Sequence, residues 1–560
     1  MNVLRHAPLL TVGAFAGPIV AGLVGTLLPA FGVLPAIGGS SLGLHAWREL
    51  LNFPGFATSL ALTLTTGWFT TLLAVFITFA LGAVLHHRPA TRRLGQLLAP
   101  LLAMPHSALA IGFAFLIAPS GWLARLVSPS LSGWTLPPDV GTVGHASGWP
   151  LVACLLLKEV PYLMLMLLGA LNQVPAKAHT DAARALGYTP VVAFLKIVLP
   201  QVYPQIRLPI LAVLAFSLSV VDVAMILGPG NPPTLAVLVV RWLSDPQVKL
   251  YFQAAAAATL LLVSVAASIG VWMMFERLAV HAGRRWVKRG RRGSAGATIA
   301  LAGSGAAAAL FAFAIAAMLG MAIWSFASRW RFPQALPPAF TLSNWELQLG
   351  DLQRPALTTL WVGLAATAIA LALTLACLEN ETVQPRRVAP KRSLALLYVP
   401  LLVPQVAFLF GAQVLLVRFG LDATLAAVVW AHLIFVLPYL FLSLGDPWRA
   451  FDSRYARTAL SLGSSRSRVF WRIKLPILLK PTLIACAIAF AVSVGLYLPT
   501  LFAGSGRVAT LTTEAVTLSA GADRRVIGTW AVLQAAFPLG AFLFAAWLPR
   551  LLYARRRGLA

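Results

Sequence analysis

Three ionisable residues stand inside otherwise apolar runs: Lys158 and Glu159 in ACLLLKEVPYLM, and Asp222 in SLSVVDVAMILG. A charge at the centre of a bilayer costs at least about 2.5–3.5 kcal/mol, so such groups mark solute paths or pair across helices. Lys158 and Glu159 are consecutive and would point about 100° apart on a helix, which makes an intrahelical pair poor geometry. Two readings stay open. The three residues line a translocation path, with Asp222 near its outer mouth, or they form structural interhelical pairs and snorkel to an interface. The two carboxylates would suit a cationic solute. Catalysis finds little material in this chain. Cys154, Cys377 and Cys486 lie in or at the ends of apolar segments, with neither disulfide nor zinc spacing. His86, His87, His281 and His432 are scattered near segment ends and read as interfacial polar groups, so no metal site is expected. No G-x-x-x-x-G-K-[ST] occurs, so the chain carries no P-loop for ATP.

The elements that must position these residues are membrane spans. Of the 560 residues, 59% are hydrophobic and 11% charged, and the mean hydropathy is +0.83. A water-soluble domain carries about 25% charged residues, so a large soluble protein is excluded. The net charge of +27 could suggest nucleic acid. Lys and Arg instead cluster at the ends of apolar runs, as topology signals do, so the partner implied is a lipid bilayer and no nucleic acid. Apolar runs of about 20 residues, the length of a spanning helix, fall at 8–32, 56–84, 97–118, 148–171, 206–228 and 251–275. A second set falls at 298–327, 355–377, 394–416, 424–445, 481–503 and 527–549. These are unbroken runs rather than ~10-residue alternations, hence helices and not barrel strands. The first run, after Arg5, exceeds the 7–15 residues of a signal-peptide core and reads as a retained first span.

With a cytoplasmic N-terminus, 11 of the 43 Lys and Arg face outward, Lys158 lies in a span, and 31 face the cytoplasm. That bias predicts both termini cytoplasmic. The chain divides into a first half (1–276), a basic cytoplasmic linker (277–297, RLAVHAGRRWVKRGRRGSAGA) and a second half (298–560). The halves repeat. PLLAMPHSALAIG places Pro105 seven residues before Gly112, and PLLVPQVAFLFG places Pro404 seven before Gly411. Pro161-Tyr162 and Pro438-Tyr439 match likewise. Equal orientation makes this a parallel repeat. Prolines near mid-span predict bent helices in both halves, and matched bends suggest a pathway between them.

One polar loop recurs. DAARALGYTPVVAFLKIVLP and RTALSLGSSRSRVFWRIKLP both fit G-x9-I-x-L-P, through Gly187, Ile197, Leu199, Pro200 and Gly463, Ile473, Leu475, Pro476. Six residues before the glycines stand Asp181, Ala182, Ala183 and Arg457, Thr458, Ala459. At average usage such a pattern arises by chance in about one chain in a hundred of this length, and here it occurs twice at matched loops. Pro175 can open a short helix that Gly187 stops, and Thr189-Pro190 or Ser464-Ser465 can cap the next one. Ala182, Ala183 and Ala459 are small enough for close approach by another protein.

The two loops, at 175–203 and 447–480, resemble the EAA motif, E-A-A-x3-G-x9-I-x-L-P, of permease subunits in ATP-binding-cassette (ABC) importers. The fused, two-motif form is similar to the permeases of bacterial thiamine and iron(III) importers. The resemblance implies an all-α type I importer permease fold of about 12 transmembrane helices in two tandem six-helix halves, in a bacterial inner membrane. It further implies coupling helices docked on two copies of an ABC ATPase subunit, which would bind ATP and Mg, and an extracytoplasmic substrate-binding protein. This chain itself would hold no cofactor and perform no hydrolysis. Thiamine, a similar small cation or iron(III) is the implied cargo. Asp181 replaces the usual glutamate, and Arg457 and Thr458 depart further, so the two loops are expected to dock differently. The alternative is a secondary transporter of six plus six helices. That class usually places its largest polar loop between helices six and seven, whereas here the structured loops follow spans four and ten.

Overall fold

A chain within a bilayer must satisfy its own backbone polar groups, and long apolar runs do so as helices. The computed structural model describes residues 2–86, 98, 100–290, 292, 296–383, 397–521 and 523–553. Its first half holds α1 (Asn2–Ala30), α2 (Phe56–Leu85), α3 (His106–Ile117), α4 (Trp149–Leu171), α5 (Leu199–Ser219) and α6 (Leu250–Lys288). The second holds α7 (Gly296–Phe326), α8 (Ser343–Val383), α9 (Gln405–Arg418), α10 (Leu425–Arg449), α11 (Leu479–Gly495) and α12 (Arg524–Leu552). Among the described residues, ten segments are long and apolar enough to cross a membrane. Arg466–Ile477 with Leu479–Gly495 adds a pair bent by 75°, and Gln405–Arg418 is a shorter apolar helix. Each of the twelve expected spans therefore has a helix in its place. The fold is all-α; strand pairing among the described residues is limited to Val33–Leu34 with Gly39–Ser40 and one bridge.

One expectation needs correction. Pro105 and Pro404 do not bend continuous helices. Each is the extended N-cap of a new helix, α3 or α9, so the chain breaks there. A proline lacks the N–H that an interior turn requires, but at a helix start that hydrogen is unneeded. Pro161 and Pro438, by contrast, sit inside α4 and α10. The segment read as a linker is helical as far as Lys288, because α6 continues for three turns beyond its apolar stretch. Residues 291 and 293–295 of that segment lie outside the described residues, as do the leading residues of the spans expected at 97–118 and 394–416.

The halves are built alike and then exchanged. In the first, α2 packs on α4 and α5; in the second, α8 packs on α10 and α11. The leading helix of each half crosses over, α1 onto α9 and α7 onto α3. In lipid, helices associate through close van der Waals packing, which small residues permit. A Cβ on Gly25 would stand 2.8 Å from the Gly411 Cα, and one on Gly112 would stand 2.5 Å from the Ala317 carbonyl oxygen. The Gly411 N–H donates to Thr26 Oγ1 at 3.1 Å. Gly112 and Gly411, first seen as repeat markers, are thus positions of close approach between the halves. The repeat extends to single hydrogen bonds. The Leu235 N–H donates to Thr63 Oγ1 at 2.8 Å, and the matching Leu511 N–H donates to Thr359 Oγ1 at 2.9 Å.

Candidate functional site

The two motif loops have one backbone design. In the first, Ala176–Ala185 forms a helix and Gly187 takes φ +83°. Its N–H donates to the Arg184 carbonyl at 2.9 Å, and the Tyr188 N–H donates to the Ala183 carbonyl at 3.1 Å. In the second, Ser453–Ser461 is the helix and Gly463 takes φ +80°. The Gly463 and Ser464 N–H groups donate to Leu460 and Ala459, both at 3.0 Å. Both are glycine-terminated Schellman closures, where a left-handed residue satisfies the last helical carbonyls. Thr189 and Ser465 then cap the next turns, accepting from the Val192 and Arg468 N–H groups at 3.4 and 3.3 Å.

The I-x-L-P part also has a structural meaning. Phe194–Val198 and Phe470–Lys474 are each a single π-helical turn, holding Ile197 and Ile473. Leu199-Pro200 and Leu475-Pro476 follow as the first residues of the next helix. Proline cannot donate to the carbonyl four residues back and its ring crowds that oxygen. The wider turn before it absorbs the misfit.

Burial separates the motif residues. Asp181, Ala182, Gly187, Arg457, Thr458 and Gly463 are exposed, whereas Ala183 and Ala459 are buried. The expectation that these two alanines receive another protein is therefore corrected: they seat the loop helix on its own chain. The exposed apolar group is instead the leucine before each glycine, Leu186 at 64% and Leu462 at 80% exposure. Neither leucine is a motif position, so the repeated pattern does not mark it.

Each loop is fastened to the end of its half's second helix. His86, at the end of α2, joins Thr180 Oγ1 through Nε2 at 2.9 Å. In the second half, Lys474 forms an ion pair with Glu379 of α8, and the Trp448 indole donates to the same carboxylate at 3.1 Å. Arg449 pairs with Glu381 at 3.0 Å. None of these fastening residues was legible as such, because each partner lies about 70 or more positions away. His432 is also reassigned. It is not interfacial but buried, bonded to Ser493 Oγ at 2.7 Å and Thr500 Oγ1 at 2.8 Å. His87 lies outside the described residues.

The three ionisable span residues meet in one cavity of about 350 Å³ between the halves. Both helix breaks reach it, through Met104-Pro105-His106 and through Val403 and Gln405. Lys158 and Glu159, from α4, are 7% and 5% exposed. Lys158 Nζ donates to the carbonyls of Leu102 at 3.0 Å, Leu101 at 3.4 Å and Met104. These are carbonyls at the broken helix end before Pro105, so the ammonium neither snorkels nor forms an interhelical salt bridge. Glu159 faces His106 at 3.8 Å. Asp222 begins a separate helix, Asp222–Leu227, after a break that ends α5. Tyr162 and its repeat partner Tyr439 also line the cavity.

Sequence relationships agree with this architecture. Residues 100–275 match the family described as binding-protein-dependent transport system inner membrane component. Over 556 residues, 99% of both chains, the sequence is 32% identical to the inner membrane ABC transporter permease protein YnjC of Escherichia coli K12. The chain belongs to the inner-membrane ABC transporter permeases. A 130-residue stretch, 21% of this chain and 49% of the relative, is 35% identical to the molybdenum transport system permease protein ModB of Mycobacterium tuberculosis. Membership makes this permease a multi-pass transport component that works with an ATPase and a substrate-binding protein, and it displaces the secondary-transporter alternative.

Proposed function

We propose that this permease carries the whole translocation pathway of an importer in one chain and couples it to ATP through its two motif loops. The observation that carries this reading is the duplicated closure at Gly187 and Gly463. Each presents an exposed leucine and an exposed helix face while being fastened to a spanning helix. A docked ATPase subunit beneath each loop, two in all, would bind ATP and Mg. Its closure would move the loop helices together and switch the halves between inward and outward openings. Binding can shift such an equilibrium only through contacts that differ between the two states. In this reading the loops, the linker and both termini are cytoplasmic. A binding protein delivers the solute from the other side, and Lys158, Glu159 and Asp222 line its path. Thiamine, a similar small cation or iron(III) is the cargo favoured by the cavity's carboxylates. A molybdenum-containing solute is the second reading, favoured by the stretch shared with ModB.

The test is co-purification and uptake. The tagged permease, expressed with its ATPase, should retain that subunit through purification. Leu186→Asp combined with Leu462→Asp should release it and lower ATP-driven uptake at least tenfold. Retention of ATPase and uptake by the double variant would defeat the coupling assignment.

A further inference from the structure

Within the cavity between the halves, Lys158 and Glu159 are electrostatic neighbours but form no direct salt bridge. Lysine has three N–H donors, and Lys158 directs its ammonium to three backbone carbonyls, of Leu101, Leu102 and Met104. It makes no direct hydrogen bond to its neighbour Glu159 and acts on it only through space. Among the described residues, the His106 ring lies 3.8 Å from the Glu159 carboxylate, and no hydrogen bond reaches that carboxylate. Glu159 is nonetheless 5% exposed. Buried charges are ordinarily paired and hydrogen-bonded, so this carboxylate, which lines the cavity and is offset by Lys158 only at a distance, keeps its acceptor capacity for a cavity occupant.

The surroundings specify the missing partner. Tyr162 and Tyr439, one from each half at matched repeat positions, line the same cavity and are electrostatic neighbours of Glu159. No hydrogen bond among the described residues occupies either hydroxyl. Asp222 places a second carboxylate on the cavity wall, beside Tyr497 of the second half. Aromatic faces beside a desolvated carboxylate attract an organic cation by charge and by cation–π contact together. A strongly hydrated inorganic cation would instead call for a cage of oxygen ligands. Resting on the importer reading above, we propose that the cavity is a transit site for an organic cation. Glu159 is its counter-ion, Tyr162 and Tyr439 its aromatic walls, and Asp222 a second anionic contact. Lys158 holds the broken helix end and leaves the carboxylate without a hydrogen-bond donor. The second half contributes aromatic and neutral polar groups to the site but no charge, because Phe435, Val436 and Leu498 stand where the first half has Lys158, Glu159 and Asp222.

The complete assembly of permease, ATPase and binding protein in proteoliposomes tests this. Thiamine, choline and spermidine serve as organic cations, and molybdate as the anionic control. At least one cation should accumulate only with ATP inside the vesicles' accessible face. E159Q should lower that uptake at least tenfold, D222N severalfold, and Y162L with Y439L severalfold. ATPase co-purification should be unchanged in all of them. Uptake at the wild-type rate by E159Q, accumulation of molybdate alone, or accumulation of no cation would overturn the assignment. Should E159Q fail to assemble, D222N decides: unchanged uptake there overturns it equally. Failure to retain any ATPase would instead sink the importer reading, so the two failures are separable.

Discussion

The two motif loops share one backbone and differ in how they are fastened. Both end a short helix on a left-handed glycine with the same pair of hydrogen bonds. In the first loop the described fastening is a hydrogen bond between His86 and Thr180, with Lys196 stacked over Tyr188 and Trp286. The remnant of the linker also lies on its turn. The Tyr188 hydroxyl donates to the Gly290 carbonyl at 3.4 Å, and Arg292 sits about where a Gly187 Cβ would be met, 3.1 Å away. The second loop is ionic. Lys474 pairs with Glu379, Arg449 with Glu381, and Asp452 caps the loop helix, while among the described residues no atom lies within 4 Å of where a Gly463 Cβ would stand. Its exposed face is also more basic, with Arg454, Arg457, Arg466, Arg468 and Arg472 against Lys177, Arg184 and Asp181. Duplication has kept the turn, whose geometry any docking partner must meet. The anchorage has diverged, since several chemistries can hold a helix in place.

This comparison can be broken at four points. Lys474→Met strips the Glu379 carboxylate of its ammonium in a mostly buried setting, and such a loss costs about 3 kcal/mol. Thermal unfolding of the purified permease should show the largest drop for this variant. Thr63→Val and Thr359→Val each leave a buried helix-start N–H without an acceptor, at about 2 kcal/mol apiece. Their melting temperatures should fall equally, because the scaffold is symmetric where the fastenings are not; unequal shifts would refute that symmetry. His86→Ala removes the Thr180 hydrogen bond that fastens the loop, about 1 kcal/mol. A loss matching that of Lys474→Met would erase the proposed difference between the anchors.

The smallest effect is acid fraying of the second loop alone. Arg454 donates to the Asp452 carboxylate from its backbone N–H at 2.9 Å and its Nε at 2.8 Å, holding that carboxyl below its ordinary value. A carboxyl lowered by folding stabilises above its unfolded pKa of about 3.9 and loses that contribution as pH falls through the folded value. Amide exchange in Ser453–Ser461 should therefore accelerate below about pH 4. The first loop helix, opened by Pro175, should show no matching change.

The motif itself was legible because its signals are local. Gly187 and Gly463 announce a left-handed stop, Thr189 and Ser465 a cap, and Pro200 and Pro476 a helix that cannot continue regularly. What was misread follows a common cause. Ala183 and Ala459 looked like docking surface because a small residue does not declare which face it occupies. Pro105 and Pro404 looked like kinks because a run of apolar residues does not reveal whether the helix restarts. Lys158 and Glu159 invited a choice between path and salt bridge, and the broken helix supplied a third outcome, a lysine on carbonyls.

The sequence by itself determined the number and place of the apolar helices, the tandem repeat and the two loop turns. Each depends on the chemistry of neighbouring residues: apolar length sets a span, glycine permits positive φ, and proline withholds a donor. Only the tertiary structure decided that α1 and α7 cross to the opposite halves. It also decided that Lys474 meets Glu379, and that Glu159 is left open in a cavity whose other wall comes from the second half. Those outcomes join residues dozens to hundreds of positions apart. Close packing at glycines and the satisfaction of broken backbone settle them, and neither is expressed in any local stretch of the chain.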